Sequence, residues 1–95
     1  MDTHRMNVTI ALLTYNRREL FQSTLESLAQ TEHPYKLVIY DNGSKDGTAE
    51  IVRSLGGVVN DTDNHTVGHG MNKSIGLALD TNPDLIVFTA DDYTY

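Results

Sequence analysis

Ninety-five residues with 39% hydrophobic and 21% charged side chains make one packed α/β-sized domain and exclude two. A formal net charge of -6 argues against nucleic acid as a partner, because phosphate backbones are bound by clustered Lys and Arg. With no cysteine, a disulfide framework, a thiolate zinc site and a thiol nucleophile are all ruled out. No stretch approaches the roughly 20 apolar residues of a membrane span, and the N-terminal residues carry no apolar signal segment. The expectation is therefore a cytoplasmic protein.

Residues 8–13, VTIALL, form a short apolar run that reads as a strand. After Asn16 the period changes: Leu20, Thr24 and Leu28, with Phe21, Leu25 and Ala29, recur at helical spacing. Asn16 followed by Glu19 predicts a capping-box variant at the helix start, and His33-Pro34 predicts its end. KLVIY, residues 36–40, reads as a second strand closed by the turn residues Asp41, Asn42 and Gly43. Asp46 or Thr48 can cap a second helix carrying Ile51, Val52 and Leu55, which Gly56-Gly57 stops. Val58 and Val59 make a brief third strand. Beyond the polar loop 60–66, residues 68–80 place Met71, Ile75 and Leu79 on one helical stripe, and LIVFTA, residues 85–90, is the fourth strand.

This β-α-β-α-β-α-β order, with strands apolar on both faces, predicts a mostly parallel sheet of about four strands with helices on both faces. In such a sheet the loops after the strands share one edge, where open α/β folds bind ligands. Thr14-Tyr15-Asn16, Asp41 to Ser44, the 60–66 loop and Asp91-Asp92 are thereby brought together.

Two adjacent carboxylates at a strand end repel one another by roughly 1 kcal/mol at 4 Å in water and roughly 4 kcal/mol at an effective dielectric of 20. A divalent cation would offset this, and Mg²⁺ takes one or two carboxylates together with phosphate oxygens. A nucleoside diphosphate with its metal fits Asp91 and Asp92; a solvated turn is the alternative. From Ser54 onward Lys73 is the only basic side chain, so a metal would also explain how this acidic half holds an anion.

Other sites fail on spacing. Gly68-His69-Gly70-Met71-Asn72-Lys73 carries Lys where the third glycine of a dinucleotide fingerprint belongs, and no P-loop string is present. His65 and His69 stand four apart, but without a further ligand at metal spacing they read as loop and cap residues.

Four strings, LLTYNR (12–17), YDNGSKDGT (40–48), VGHGMNKSIGLAL (67–79) and FTADDY (88–93), occur in order over nearly the whole chain. Together they resemble the nucleotide-binding half of family 2 glycosyltransferases with the GT-A fold. The resemblance implies a Rossmann-like half of a GT-A fold, with residues 1–95 a single truncated nucleotide-sugar-binding domain. It implies that Thr14, Tyr15, Asp41 and Asn42 lie near base and ribose, and that Asn72 and Lys73 lie near the sugar-nucleotide. Tyr15 reads equally as a packing residue, and Lys73 equally as an exposed helix lysine. Asp91 and Asp92 fall on the family's metal and ribose motif, implying Mn²⁺ or Mg²⁺.

The sequence departs from the family in three respects. Thr89-Ala90-Asp91-Asp92 lacks the first acid of Asp-x-Asp-Asp, Asn42 replaces the second acid of a common Asp-Asp pair, and the chain ends at Tyr95. The resemblance implies that the later half, which in these enzymes supplies the acceptor site and the carboxylate general base, is not among these 95 residues. The expected function is a glycosyltransferase-like domain binding a UDP-, GDP- or dTDP-sugar with a divalent metal, for transfer to an unknown acceptor. The alternative is a non-catalytic binding module of degenerate GT-A fold that self-associates through exposed sheet edges.

Overall fold

The computed structural model describes residues 7–30 and 34–90. Seven elements run in the order β1 (Val8–Thr14), α1 (Arg18–Ala29), β2 (Lys36–Asp41), α2 (Thr48–Ser54), β3 (Val58–Val59), α3 (Val67–Leu79) and β4 (Leu85–Ala90). The strands form one sheet in the order β3-β2-β1-β4, and every pairing is parallel. The α/β alternation expected from the sequence is thus the architecture of the chain.

Successive strand residues face opposite sides of a sheet, and this separates two packed layers. On one side Leu12 and Ile39 meet Phe21 of α1 and Val52 of α2, with Leu25, Leu37, Ile51 and Val59 packed around them. On the other side α3 lies over β1 and β2, with Gly70 against Leu13. β1 is central, and six of its seven residues are buried. β4 lies at the sheet margin, so Leu85 and Val87 stay exposed.

Several local expectations change. The apolar stripe Met71, Ile75, Leu79 is not the packed face of α3; Gly70, Ser74 and Ala78 are buried, while Leu79 is 61% exposed. Small residues at i, i+4 and i+8 let the helix backbone approach the sheet, and a Cβ on Gly70 would stand 2.7 Å from Leu13 Cδ1. The larger side chains are left on the outer face.

Nor does Asn16 cap α1. Asn16 is in the left-handed region at φ 54°, and the N-cap residue Arg17 makes no side-chain cap bond. The cap comes from a neighbouring loop instead: Arg18 N donates to Asp46 Oδ2 at 3.0 Å. α1 ends at Ala29, before the expected His33-Pro34 stop, of which His33 lies outside the described residues. Nor is Asp46 or Thr48 the N-cap of α2: that residue is Gly47, which makes no side-chain cap bond, while Asp46 one position earlier bonds the first helical residue, its Oδ1 accepting from Thr48 N at 3.1 Å and from the Thr48 hydroxyl at 2.5 Å.

Candidate functional site

Register fixes which residues meet at the C-terminal edge. Thr14 is the partner of Asp41 across β1 and β2, Asp41 is the partner of Val59, and Ala90 of β4 stands opposite Leu13. The loops after β1, β2 and β3 therefore leave the sheet at this one edge, which the end of β4 also reaches.

Asp41 is fully buried and holds its own turn. Its Oδ2 accepts from Gly43 N at 3.1 Å and Ser44 N at 2.8 Å, and the Ser44 hydroxyl donates to Oδ1. Gly43 takes φ 105°, a conformation that side chains with a Cβ rarely adopt. Ser44 Oγ also accepts from Asn16 N at 2.7 Å, while Asn16 Oδ1 accepts from Lys45 N at 2.7 Å. The loops after β1 and β2 are thus stitched together by reciprocal bonds, which accounts for the left-handed Asn16.

Asn42, also fully buried, joins this turn to the loop after β3. Its Nδ2 donates to His65 O at 3.0 Å and Thr66 O at 3.1 Å, and its Oδ1 accepts from Asn60 Nδ2 at 3.0 Å. Asn60 in turn donates to Asn64 O and accepts from Thr62 N and Thr62 Oγ1. Thr66 then caps α3, its hydroxyl accepting from His69 N at 3.2 Å. Sequence reasoning did not single out Asn60, and it read His65 only as a loop or cap residue. Their importance lies in bonds to a residue 18 and 23 positions away, and the only local sign is an Asn-rich polar loop.

At the centre of this edge one group is left over. Among the described residues, Thr14 Oγ1 is the buried side-chain polar atom without a hydrogen-bond partner. An unmet buried hydroxyl costs about 1–3 kcal/mol, so the bonds among the described residues leave the surroundings of the Asp41 turn incomplete at this atom.

The remaining candidates are distributed around this centre. Tyr15 is half-buried, its ring 6.1 Å from that of His65. Asn72 is exposed on α3. Lys73 lines a cleft of about 250 Å³ with Tyr40, Val58, Val59, Asp61, Thr62 and Leu77, on the β3 side of α3. Burial, with the charges of Asp61 and Asp41 added, pushes the Tyr40 hydroxyl above its ordinary pKa; that hydroxyl lies 3.2 Å from His69 Nε2. Burial opposes ionisation of Asp46, but hydrogen bonds from Thr48 and Arg18 outweigh it and hold the carboxyl below its ordinary range.

Asp91 and Asp92 lie outside the described residues; in sequence they follow directly on Ala90, where β4 reaches the shared edge. Among the described residues no group of three His, Asp or Glu gathers as a metal cluster, and no helix is long and apolar enough to cross a membrane.

The family model of glycosyl transferase family 2 matches residues 9–95. The chain belongs to that family. It is 30% identical over 89 residues to the O-antigen chain rhamnosyltransferase RfbN of Salmonella typhimurium, covering 92% of this chain and 28% of that protein. It is 30% identical over 73 residues to the undecaprenyl-phosphate 4-deoxy-4-formamido-L-arabinose transferase of Proteus mirabilis, covering 73% of this chain and 22% of the relative. The solved mannosyltransferase PcManGT of Pyrobaculum calidifontis, in complex with GDP-Man and Mn²⁺, superimposes with a TM-score of 0.65 at 25% identity. That match covers 80% of this chain and 25% of the mannosyltransferase. This glycosyltransferase family 2 chain thus spans between a fifth and a third of the length of these relatives.

Proposed function

We propose that this family 2 chain binds the nucleoside-diphosphate sugar of a glycosyl transfer, together with a divalent cation, at the C-terminal edge of its sheet. The observation that carries the reading is the buried, unpartnered Thr14 hydroxyl, in register with buried Asp41 where the loops after the strands converge. Thr14, Tyr15 and Asp41 face the nucleoside, and Asn42 acts by positioning the loop, since its amide is bonded to residues 60, 65 and 66. Asn72, exposed on α3, is the candidate for the sugar-diphosphate, whereas Lys73 opens on the cleft beside β3, at the sheet margin opposite β4. Asp91 and Asp92 would hold Mn²⁺ or Mg²⁺, hard cations that take carboxylate and phosphate oxygens. When bound, the ion supplies charge neutralisation for the departing diphosphate. The complex of PcManGT with GDP-Man and Mn²⁺ supports both a nucleotide-sugar ligand and a divalent ion.

Calorimetry with UDP, GDP and dTDP, with and without Mn²⁺, tests this. Binding that requires the ion and is lost in Asp91→Ala/Asp92→Ala, with the melting temperature unchanged, is the expected result. Absence of binding, or indifference to both ion and acid pair, would leave a non-catalytic module as the better account.

A further inference from the structure

The turn after β2 meets two requirements at neighbouring positions, and together they create a reactive dipeptide. Position 43 calls for glycine, because its φ is 105° and a Cβ there would stand 2.3 Å from His65 Cε1. Position 42 is filled by an amide, whose Nδ2 donates to His65 O and Thr66 O while its Oδ1 accepts from Asn60 Nδ2. Of the asparagines in the chain, Asn42 alone is followed by glycine. That order favours attack of the following backbone nitrogen on the side-chain amide carbon, since no Cβ screens the nitrogen. The bonds of the turn oppose the attack. Gly43 N donates to Asp41 Oδ2 at 3.1 Å, so a carboxylate holds the proton that the nitrogen must lose. To turn onto its own backbone the amide must leave His65 O, Thr66 O and Asn60, and its side chain has no solvent exposure to admit water.

We propose that Asn42 is a deamidation site that the folded loop keeps shut: conversion proceeds through opening of the 60–66 loop, and its product cannot close the loop again. In the open form Gly43 N gives its proton to solvent and bonds to Asn42 Cγ, while the Cγ–Nδ2 bond breaks and the nitrogen takes up a proton and leaves as ammonia. The succinimide so formed adds one water, which cleaves either of its two carbonyl–nitrogen bonds and leaves aspartate or isoaspartate at position 42. Aspartate puts an acceptor against the His65 and Thr66 carbonyls, and isoaspartate also inserts a methylene into the backbone, so neither restores the lost donor. Because this chemistry is slow beside loop motion, its rate follows the population of the open form. The proposal stands on the turn itself, apart from the donor-binding reading.

The test incubates the unsubstituted chain at mildly alkaline pH in buffer, in urea below its unfolding midpoint and in unfolding urea, alongside Asn60→Ala in buffer. Mass spectrometry of the tryptic peptide 37–45, in which Asn42 is the only asparagine, reads the conversion. In unfolding urea this peptide is expected to convert ahead of every other asparagine-bearing peptide. In buffer its conversion should be slower by about a hundredfold or more. Asn60→Ala withdraws the donor to Asn42 Oδ1 and should convert about three- to tenfold faster than the parent, and urea below the midpoint should accelerate the parent likewise. If Asn60→Ala does not fold, the urea series alone decides. Converted chain, separated from the parent, should exchange its Thr62 and Thr66 amide hydrogens faster, since their acceptors belong to the released loop. Four results would each overturn the proposal: another asparagine converting first in unfolding urea, a rate in buffer within about twofold of the unfolded rate, a rate insensitive to loosening of the loop, or unchanged exchange in the converted chain.

Discussion

Asn42→Asp exchanges one planar group for another of nearly the same size, and so isolates hydrogen-bond polarity from packing. In the structure Nδ2 donates to His65 O at 3.0 Å and Thr66 O at 3.1 Å, in a side chain with no solvent exposure. A carboxylate oxygen in that place would face two carbonyls, leaving each without its donor at about 1–3 kcal/mol apiece. The bond from Asn60 Nδ2 to Oδ1 survives the change. The expected loss at pH 7 is therefore about 2–6 kcal/mol, a large share of the roughly 5–15 kcal/mol that stabilises a small domain. Burial and the facing carbonyls raise the folded-state pKa of the new carboxyl above its unfolded value of about 3.9. The sign of the pH dependence follows from this. Below about pH 3.9 the carboxyl is protonated in both states and can donate to one carbonyl, so the gap to the unsubstituted chain is smallest. As pH rises from there toward the folded pKa the gap widens by about 1.36 kcal/mol per pH unit, and above that pKa it is constant. Urea unfolding of both chains at matched pH values between 4 and 7.5 measures the difference directly. A variant within about 0.5 kcal/mol of the parent at pH 7, or a gap that does not shrink in acid, would refute the role given to the Asn42 amide.

Two further predictions concern the elements that carry this loop. Gly70→Ala drives a methyl to 2.7 Å from Leu13 Cδ1, and overpacking of about 1–3 kcal/mol should exceed the gain of about 1 kcal/mol in helix propensity. Gly76→Ala on the same helix meets nothing within 4 Å and should stabilise by up to about 1 kcal/mol, so urea midpoints moving in opposite directions are expected. Asp46→Ala removes the acceptor for Thr48 N, the Thr48 hydroxyl and Arg18 N, at a cost of about 1–2 kcal/mol. Because the Asp46 carboxyl is held below its ordinary pKa, its contribution is complete above about pH 4 and disappears as pH falls through the folded value. Thermal melts of the two chains should converge in acid and stay apart at neutral pH.

The element order was legible because it depends on periodicity within short windows. β1 reads as apolar on both faces and is buried on both, being the strand flanked by β2 and β4. The face that α3 presents was not legible. Met71, Ile75 and Leu79 carry the apolar signal, but the contact is made by Gly70, Ser74 and Ala78, which little hydrophobicity marks. Close approach, rather than apolar area, selects that face, and the distance from Gly70 to Leu13 cannot be read from either residue alone. The Asn16 cap failed for a related reason. A local capping pattern lost to a tertiary one, in which Ser44 and Lys45 engage Asn16 and Asp46 takes over the helix start.

At the sheet edge, a parallel topology was enough to bring Thr14, Asp41 and the 60–66 loop together before any side-chain geometry was known. What holds that loop in place is a chain of neutral amides and hydroxyls, Asn42, Asn60, Thr62 and Asn64, rather than ion pairs. This choice has an electrostatic consequence. Asp61 and Asp63 already lie in the loop and Asp41 is buried beneath it, in a chain of net charge -6. A second buried carboxylate at position 42 would add repulsion at the edge proposed to receive a diphosphate. An amide fixes the loop with both donors and acceptors and no charge, so the positioning of the edge is independent of the ion that the anionic ligand would bring. If that separation holds, adding or chelating Mn²⁺ should alter nucleotide affinity while leaving the urea midpoint of the ligand-free chain unchanged.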